Sequence, residues 1–266
     1  MTTNNNLTFV TAFISVPDKR YDHNRVSFDR RVQYFMKMVE LDINICLFIS
    51  PDIKELMENL TSKYKNVTIC EVLDINDLEI TKITNHYKEH NNCLKEIETK
   101  NKNTKDVPDY MLIQNSKIEF VKKSIDLNPY NSNYFCWIDF SILYVCHNIE
   151  NSLSKIKEYS KTRFISTPFI AIPGWCNIKI QDTDLCNSDV YWRFCGGFFI
   201  GDKQSLLSFY YNSINNFHHF LTKTETLVWE VHYWAWLEKM NYINPIWYKT
   251  NHDDSILNIP NEIKHI

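Results

Sequence analysis

Glycine is scarce in this chain, and the glycine-rich motifs that bind phosphate groups are absent. Only four of the 266 residues are glycine, and neither GxGxxG nor GxxxxGK[ST] occurs in the sequence. Both motifs need glycine because the phosphate groups must approach the backbone closely. The sequence therefore excludes proteins built on these two motifs, and it argues against an acetyltransferase, whose pyrophosphate loop also needs glycine.

An excess of positive charge is also missing. The 29 Lys and Arg residues are outnumbered by 32 Asp and Glu residues, which gives a formal net charge of -3 and a pI of about 6.3. A protein that binds nucleic acid over a broad surface normally carries a positive field. We therefore expect no nucleic-acid partner.

Long apolar runs and paired cysteines are missing too. No apolar run is long enough to cross a bilayer, and the start, MTTNNNLTFV, lacks the basic and apolar parts of a secretory signal. The eight cysteines form no CxxC pair, and several lie in apolar segments such as INICLFIS. We expect reduced, buried thiols in a protein without a membrane span. The expected location is the cytoplasm, or the host cytoplasm if the protein is viral.

The chain does contain enough apolar material for a large core. Hydrophobic residues make up 44% of the sequence and aromatic residues 14%, which fits one domain over residues 1–266. Short β-rich segments alternate with apolar residues at helical spacing in the first quarter of the chain, at residues 7–15, 43–50 and 66–70. This alternation predicts an α/β fold with a mostly parallel central sheet flanked by helices. Residues 74–107 are polar and predict a surface excursion that is helical in part and mobile in part, with no chemistry assigned to it.

The second half of the chain continues the pattern. Further strands are predicted at residues 133–142 and 191–202 and near INPIWYK. Ser116 and Glu119 match a capping box at the start of a helix that ends at Asn128. Two helices follow the second of these strands. The last one, ETLVWEVHYWAWLEKM, starts near Glu225 in this interpretation and is apolar nearly all round, which predicts deep burial.

Asp139 is the leading candidate for a functional residue. It follows the apolar strand YFCWI, and open α/β sheets bind ligands at the carboxyl ends of their strands. A carboxylate at this point can ligate Mg²⁺ or Mn²⁺ and leave coordination positions open for diphosphate oxygens. The alternative is that Asp139 only caps a turn, as strand-ending aspartates often do.

Three of the four glycines are clustered in GGFFIG, residues 196–201. Glycine within a strand indicates a bulge or a close approach of the backbone to a ligand. Gly196 and Gly197 are therefore candidates for contact with a sugar. Tight packing of a helix on the strand explains the same spacing equally well.

Two charged residues occur in predicted helices. Glu230 lies among apolar residues of the last helix, where an unpaired carboxylate is costly, so it predicts either a catalytic residue or a structural ion pair. Lys117 follows Ser116 in a first helical turn, where free N–H groups attract anions such as a diphosphate. A solvated lysine is the simpler alternative.

The C-terminal segment NHDDSIL places an imidazole next to two carboxylates. His252 and Asp253 can complete a metal site that begins elsewhere in the fold. Polar surface turns often contain the same residue types, so this signal is weak by itself.

Four segments of the chain resemble one known family. They are TAF (residues 11–13), NSKIEFVKKSIDLNPYNSNYFCWIDFSI, CGGFFIGDKQSLLSFY and NHDDSIL. Together they are similar to the HtrL/YibB family of bacterial and viral proteins, which is regarded as a family of GT-A-like glycosyltransferases. The likeness runs from residue 7 to about residue 258, with residues 74–107 outside it.

The resemblance implies a single-domain, Rossmann-like GT-A fold. It also implies a nucleotide diphosphate sugar as donor, a divalent metal (Mn²⁺ or Mg²⁺), and transfer of the sugar to a hydroxyl group of a glycan or glycosylated acceptor. The contacts that it implies are Thr11, Ala12 and Phe13 beside the base or ribose, Lys117 at the diphosphate, Asp139 and His252 at the metal, Gly196 and Gly197 beside the sugar, and Glu230 at the reacting centre. One departure is clear: Ser141 stands where a DxD motif has its second acid, so Asp253, or Ser141 through a water, is expected to complete the metal site.

Two other functions fit parts of the same pattern. A sugar nucleotidyltransferase shares the sheet and the metal-bound diphosphate, but FISVPDKR lacks the glycine-rich first loop of such enzymes. A catalytically inactive carbohydrate-binding or scaffold protein on the same fold would explain the missing second acid. The sequence leaves the donor, the acceptor, the stereochemistry and the oligomeric state open.

Overall fold

The β-rich segments of the sequence form one sheet in the computed structural model, which describes residues 6–17, 26–91, 94–95, 107–181, 183, 185 and 190–265. These residues contain seven strands: β1 (Leu7–Phe13), β2 (Ile45–Ile49), β3 (Val67–Val72), β4 (Tyr134–Ile138), β5 (Ile170–Gly174), β6 (Phe198–Asp202) and β7 (Ile246–Lys249). Their order is β3-β2-β1-β4-β6-β5-β7. Only β6 runs antiparallel to its two neighbours. The predicted mostly parallel α/β sheet is confirmed.

Helices cover both faces of this sheet because successive side chains of each strand point to opposite faces. In β1, for example, Val10 packs into one core and Phe9 into the other. The described residues form eight α-helices: α1 (Phe28–Val39), α2 (Lys54–Thr61), α3 (Glu79–Asn91), α4 (Pro108–Asn115), α5 (Lys117–Leu127), α6 (Ile149–Tyr159), α7 (Lys203–Thr224) and α8 (Glu230–Lys239). Helices α1, α2 and α6 bury residues in the core that contains Phe9. The other five helices contribute to the core that contains Val10.

The path of the chain across the sheet creates a crevice. From β1 the chain passes to β2 and β3 on one side, and it then returns to β4 on the other side of β1. In open α/β sheets such a switch point leaves a crevice at the carboxyl ends of the two strands. The carboxyl ends of β1 and β4 therefore border the expected ligand site.

The predicted capping box at Ser116 and Glu119 is wrong. Helix α4 leads into α5, so the Ser116 N–H already donates to the Leu112 carbonyl, and the Ser116 hydroxyl donates to the same carbonyl at 2.9 Å. Glu119 instead accepts a hydrogen bond from the Glu79 N–H at 2.9 Å. The start of α5 is therefore not a free helix end.

Two other predicted boundaries are shifted. Glu225 does not begin the last helix but ends α7 in the left-handed region, with a φ of 54°, and α8 begins at Glu230. Within predicted strand 191–202, only Phe198–Asp202 pairs as β6. Strand β5 and helices α4 and α6 were not predicted, since their signals were weaker than those of their neighbours.

The polar excursion at residues 74–107 contributes more residues to the hydrophobic core than its composition predicted. Ile80 and Tyr87 of α3, and Leu78 just before the helix, are buried in the core that contains Val10. Helix α3 packs beside α7. Residues 92–93 and 96–106 lie outside the described part of the chain.

Most of the cysteines that the structure describes are buried, and Cys70 and Cys176 are half-buried. Free thiols are found at the cysteines that the structure describes: Cys46, Cys70, Cys136, Cys146, Cys176 and Cys195. Cys93 and Cys186 lie outside the described residues. Among the helices of the described chain, none combines the length and the apolar character that a bilayer span requires.

Candidate functional site

A pocket opens where the carboxyl ends of β1 and β4 meet. Its walls come from the ends of these two strands, from α1, and from α4 and α5. The lining residues are Ala12, Phe13, Ile14, Val16, Arg31, Tyr110, Ile113, Gln114, Lys117, Trp137, Asp139, Phe140 and Ser141. Aromatic rings, an amide and charged groups thus converge at the switch point, which is the usual composition of a site for a small polar ligand.

The ammonium group of Lys117, a residue of the pocket wall, is enclosed by three acceptors. Its Nζ lies 2.8 Å from Oε1 of Glu230, 3.0 Å from the carbonyl oxygen of Gly196 and 3.2 Å from Oδ1 of Asp139. The side chain of Lys117 is only 3% exposed. An ammonium group has three N–H bonds, so these partners engage all of them.

The charges around Lys117 fix its protonation. Burial alone would lower the pKa of Lys117, but the carboxylates of Asp139 and Glu230 outweigh that effect and raise the pKa above its ordinary value. Lys117 is therefore a cation at neutral pH. Two carboxylates share this one cation, so the group as a whole has an excess of negative charge.

Asp139 connects this buried group to the pocket. Its Oδ1 accepts a hydrogen bond from Nε1 of Trp137 at 2.8 Å and faces Lys117, whereas Oδ2 accepts no hydrogen bond from a described residue. The Asp139 N–H donates to the Gly197 carbonyl at 3.0 Å, which fixes the backbone. Its side chain is 40% exposed. Asp139 thus has one oxygen held by the protein and one that is available to a ligand.

Glu230 is close to Asp139 but does not line the pocket. It begins α8, is 3% exposed, and its Oε2 has no hydrogen-bond partner among the described residues. A Cβ atom on Gly196 would lie 1.9 Å from Oε1 of Glu230. Glu230 therefore lies behind Gly196 and Lys117, away from the place where a substrate can enter.

Both ends of α8 are anchored to the segment that precedes β6. At one end Glu230 packs on Gly196, and at the other Glu238 accepts two hydrogen bonds from Arg193, at 2.6 and 2.7 Å. This bidentate pair is buried, and such pairs fix geometry well. The backbone around Gly196 and the position of Glu230 are thus set together.

The structure separates the three residues that were expected beside the base or ribose. Ala12 and Phe13 line the pocket, whereas Thr11 is 1% exposed within the sheet. The ring of Phe13 stacks on that of Phe140, with centroids 4.6 Å apart. Thr11 supports this wall from inside the sheet and does not face the pocket.

The expected metal set of Asp139, His252 and Asp253 is not assembled. Among the described residues, a group of three possible ligands at this edge of the sheet consists of His147, Asp253 and Asp254, whose ligand atoms lie within 4.8 Å of one another. Asp139 follows β4, whereas His252 follows β7, three strands away in the sheet order. Asp139, His252 and Asp253 do not form a group of described residues whose ligand atoms lie within 4.8 Å of one another. His252 packs instead near Trp192.

Asp253 also has a structural role of its own. Its Oδ1 accepts hydrogen bonds from the hydroxyl and the N–H of Ser255, and the hydroxyl contact lowers the pKa of Asp253 most. Asp253 thereby caps a short 3-10 helix, Asp254–Leu257.

Arg31 lines the pocket from α1 and was not among the functional residues predicted from the sequence. Its Nε donates to the Val26 carbonyl at 3.1 Å, and its two Nη atoms pair with no described residue. A signal was available, because Phe28 and Phe35 lie three residues before and four residues after Arg31, on the same helix face. Phe28 contacts Phe13 and Phe35 stacks on Phe140, so that face points towards the pocket.

The sequence matches one family, and several solved structures are similar to the fold. The family described as "Bacterial protein of unknown function (HtrL_YibB)" matches residues 5–228. No curated protein matches the sequence. Mouse xyloside xylosyltransferase 1 in its apo form is 8% identical, with a TM-score of 0.43 over 92% of this chain and 85% of that one. The 4-diphosphocytidyl-2C-methyl-D-erythritol synthase of Anaerococcus prevotii is 12% identical, with a TM-score of 0.42 over 95% and 90%. At these values neither similarity carries an argument about activity.

Proposed function

The chain belongs to the HtrL_YibB family, and we propose that it is a glycosyltransferase of the GT-A type, which moves a sugar from a nucleotide diphosphate sugar to a hydroxyl group of a glycan or glycosylated acceptor. The observation that carries the proposal is the position of Asp139. Asp139 lines a pocket at the switch point between β1 and β4, its Oδ2 accepts no hydrogen bond from a described residue, and the buried Lys117 holds its other oxygen. Ligands of open α/β sheets bind at this point.

The chemistry of Asp139 fits a divalent cation such as Mn²⁺ or Mg²⁺. These hard cations prefer carboxylate oxygens and keep several positions for water and phosphate oxygens, and the excess negative charge around Lys117 favours one here. Asp139 through Oδ2, and Ser141 through a water, would hold it. When bound, the cation would neutralise charge on the diphosphate. The His147, Asp253 and Asp254 group is a separate candidate at the same edge.

Arg31 is the residue that we propose for the diphosphate. Lys117 was the expected contact, but its three N–H bonds already point to Glu230, Gly196 and Asp139. Arg31 lines the same pocket and has two Nη atoms without a described partner. A guanidinium group binds phosphate oxygens in a bidentate manner. Lys117 therefore organises Asp139, and Arg31 supplies the positive charge for the donor.

The remaining pocket residues follow from the geometry. Ala12 and Phe13 are proposed beside the base or ribose, because they form the wall from β1. Gly196 is assigned to the close packing around Glu230, since a Cβ atom there would lie 1.9 Å from Oε1 of Glu230. A Cβ atom on Gly197 would meet Oδ2 of Asp139 only at 3.5 Å, an ordinary van der Waals distance, so the proposed sugar contact is kept for Gly197.

In the proposed reaction, the acceptor oxygen forms a bond to the anomeric carbon as the bond from that carbon to the diphosphate breaks. The nucleoside diphosphate and the hydroxyl proton are released. Arg31 stabilises charge that develops on the leaving diphosphate. Glu230 is too deeply buried to take the acceptor proton in this arrangement, so we assign it a positioning role: it holds Lys117, which in turn holds Asp139.

Nucleotide binding tests the proposal directly. Isothermal titration of UDP, GDP, CDP and CTP, with and without MnCl₂, is expected to show a nucleoside diphosphate that binds more tightly with Mn²⁺, and Asp139→Asn is expected to remove the Mn²⁺ effect. Asp253→Asn tests the second candidate group at the same sheet edge: loss of the Mn²⁺ effect in this variant and not in Asp139→Asn would place the cation there and overturn the role proposed for Asp139. Preference for the triphosphate would favour a nucleotidyltransferase. A folded protein that binds none of these nucleotides would favour the non-catalytic scaffold.

A further inference from the structure

A second cluster of possible metal ligands lies on α3, in the middle of the polar excursion and apart from the pocket. His86, Glu89 and His90 are all exposed, and one ligand atom of each lies within 4.8 Å of the others. The two imidazole rings have their centroids 4.3 Å apart. None of the three residues lines the pocket at Asp139.

The helical spacing explains why the three side chains converge. Residues four apart lie on the same helix face one turn from each other, so His86 and His90 point in the same direction, and Glu89 lies beside them. The same spacing of two histidines on one helix face binds zinc in helical metal motifs. The geometry arises from the helix itself and needs no rearrangement of the chain.

The tautomer of His90 is suited to metal binding. Its Nδ1 lies 2.9 Å from the carbonyl oxygen of His86. A carbonyl oxygen only accepts hydrogen bonds, so Nδ1 carries a proton, and in the neutral ring Nε2 is then the nitrogen whose lone pair a metal can use. A hydrogen bond from the second ring nitrogen to a backbone carbonyl is the usual way in which proteins orient a histidine that ligates a metal.

We propose that His86, Glu89 and His90 form a surface site for a borderline divalent cation, with Zn²⁺ as the best match and Co²⁺ as its spectroscopic substitute. Two imidazole nitrogens and one carboxylate oxygen are a common zinc ligand set, and a water takes the fourth position. The donor set contains two nitrogens and so differs from the all-oxygen environment of Asp139. Mg²⁺ and Mn²⁺ are therefore expected to bind weakly to it. The site stands independently of the glycosyltransferase proposal.

The neighbouring helix borders this site. The ring of His218 on α7 lies 6.4 Å from that of His86 and 5.4 Å from that of Tyr87, centroid to centroid. A cation bound across one turn of α3 ties two successive turns of that helix together beside α7. It therefore stabilises the folded state, because ligands that bind only the folded protein raise its stability.

Titration with ZnCl₂ and CoCl₂ tests the site on the full chain. His86→Gln and His90→Gln each lose one of three protein ligands. In each variant we expect one Zn²⁺ equivalent to be lost, or the affinity of the protein for this equivalent to fall at least about tenfold. Co²⁺ is expected to give visible absorption bands in the wild-type protein that are absent from the double variant. His219→Gln removes an exposed histidine of α7 outside the cluster and serves as the matched control.

The outcomes separate the possible sites. Loss of the Zn²⁺ equivalent in both single variants but not in His219→Gln or Asp253→Asn supports the site. Unchanged stoichiometry and affinity in the His86→Gln/His90→Gln double variant overturns it. Equal losses in the control variants also overturn it, because they mean that Zn²⁺ binds to histidines in general or to the group at Asp253.

Discussion

The carboxylate of Glu230 occupies the space that a side chain on residue 196 would need. A Cβ atom on Gly196 would lie 1.9 Å from Oε1 of Glu230 and 3.2 Å from Nζ of Lys117. The absence of a side chain at this one position therefore lets a buried carboxylate reach a buried ammonium group. The need for glycine is steric, since the backbone there is not in the left-handed region.

Gly196→Ala is expected to displace Glu230 from Lys117 and to destabilise the fold. Overpacking of a filled interior costs about 1–3 kcal/mol, and the disturbed ion pair adds to that cost. Urea unfolding measures the change. Gly197→Ala is the matched control, because its Cβ would meet Ile142 at 3.1 Å and Asp139 at 3.5 Å, and we expect a smaller loss. Equal stability of wild type and Gly196→Ala would contradict the steric argument.

Lys117→Met is expected to be more destabilising than the loss of a surface lysine. Removal of one partner of a buried ion pair costs about 3–5 kcal/mol, because the remaining carboxylate is left uncompensated. The double variant Lys117→Met/Glu230→Gln should recover part of this loss. A double-mutant cycle from urea unfolding measures the coupling, which we expect to exceed about 1 kcal/mol. Simple additivity of the two changes would show that the pair is not coupled.

Arg31→Ala is expected to weaken binding of the nucleoside diphosphate by roughly 10- to 100-fold, the range for loss of charge-assisted hydrogen bonds. The affinity of Arg31→Lys for the nucleoside diphosphate should lie between those of the wild type and Arg31→Ala, because lysine keeps the charge and loses the bidentate geometry. Binding of the nucleoside without phosphates should not change. Arg30→Ala is the control: Nε of Arg30 donates to the Tyr34 hydroxyl at 3.0 Å, and Arg30 is not in the pocket. Equal effects at the two arginines would remove Arg31 from the site.

The sheet and its main ligand edge could be predicted from the sequence because their signals are local. The apolar runs around Phe9, Leu47 and Phe135 are long enough to identify strands, and alternation with helices predicts parallel order. The position of Asp139 follows, since a residue directly after a buried strand lies at the sheet edge. Antiparallel β6 was beyond this reasoning, because strand direction depends on where the chain crosses the sheet.

The contacts of the site depend on distances that no local pattern contains. Lys117 and Glu230 are 113 residues apart, and nothing in either segment shows that the two meet. The expected metal set depends on the same kind of information: His252 has suitable chemistry, but it follows β7, which the strand order separates from β4 and Asp139. Arg31 was missed because an arginine in an amphipathic helix usually faces solvent.

Trp137→Phe tests how strongly the indole controls Asp139. The substitution keeps an aromatic ring in the core but removes the Nε1 hydrogen bond to Oδ1. We expect Mn²⁺-dependent nucleotide binding to weaken about tenfold, which is typical for loss of a group that orients a metal ligand. Trp247→Phe loses a comparable hydrogen bond, from Nε1 to the Arg193 carbonyl at 2.8 Å, and should leave this binding unchanged. An unaltered Mn²⁺ dependence in Trp137→Phe would mean that Lys117 alone positions Asp139.

A buried carboxyl outside the pocket gives the stability a pH dependence. Glu119 is 1% exposed, and its Oε1 has no hydrogen-bond partner among the described residues. Burial raises the pKa of Glu119 to about 7 from an ordinary value of 4.5, and the charge of Glu79 adds to this effect. The Glu79 N–H, Lys123 and Lys82 act in the opposite direction and do not cancel it. The folded protein thus keeps a proton that the unfolded chain releases.

Stability is therefore expected to fall as the pH rises from about 4.5 to about 7, since the folded state binds more protons than the unfolded state over that window. Glu119→Gln imitates the protonated form at every pH. Relative to wild type, it should raise the free energy of unfolding by roughly 1–3 kcal/mol at pH 8, at about 1.4 kcal/mol per unit of pKa difference, and by little at pH 4.5. Asp126→Asn on the same helix removes an exposed carboxylate and should show no such trend. Urea unfolding at the two pH values distinguishes the cases. A constant difference between Glu119→Gln and wild type would mean that Glu119 has the same pKa in the folded and unfolded states, so that the Glu79 N–H, Lys123 and Lys82 cancel the effect of burial.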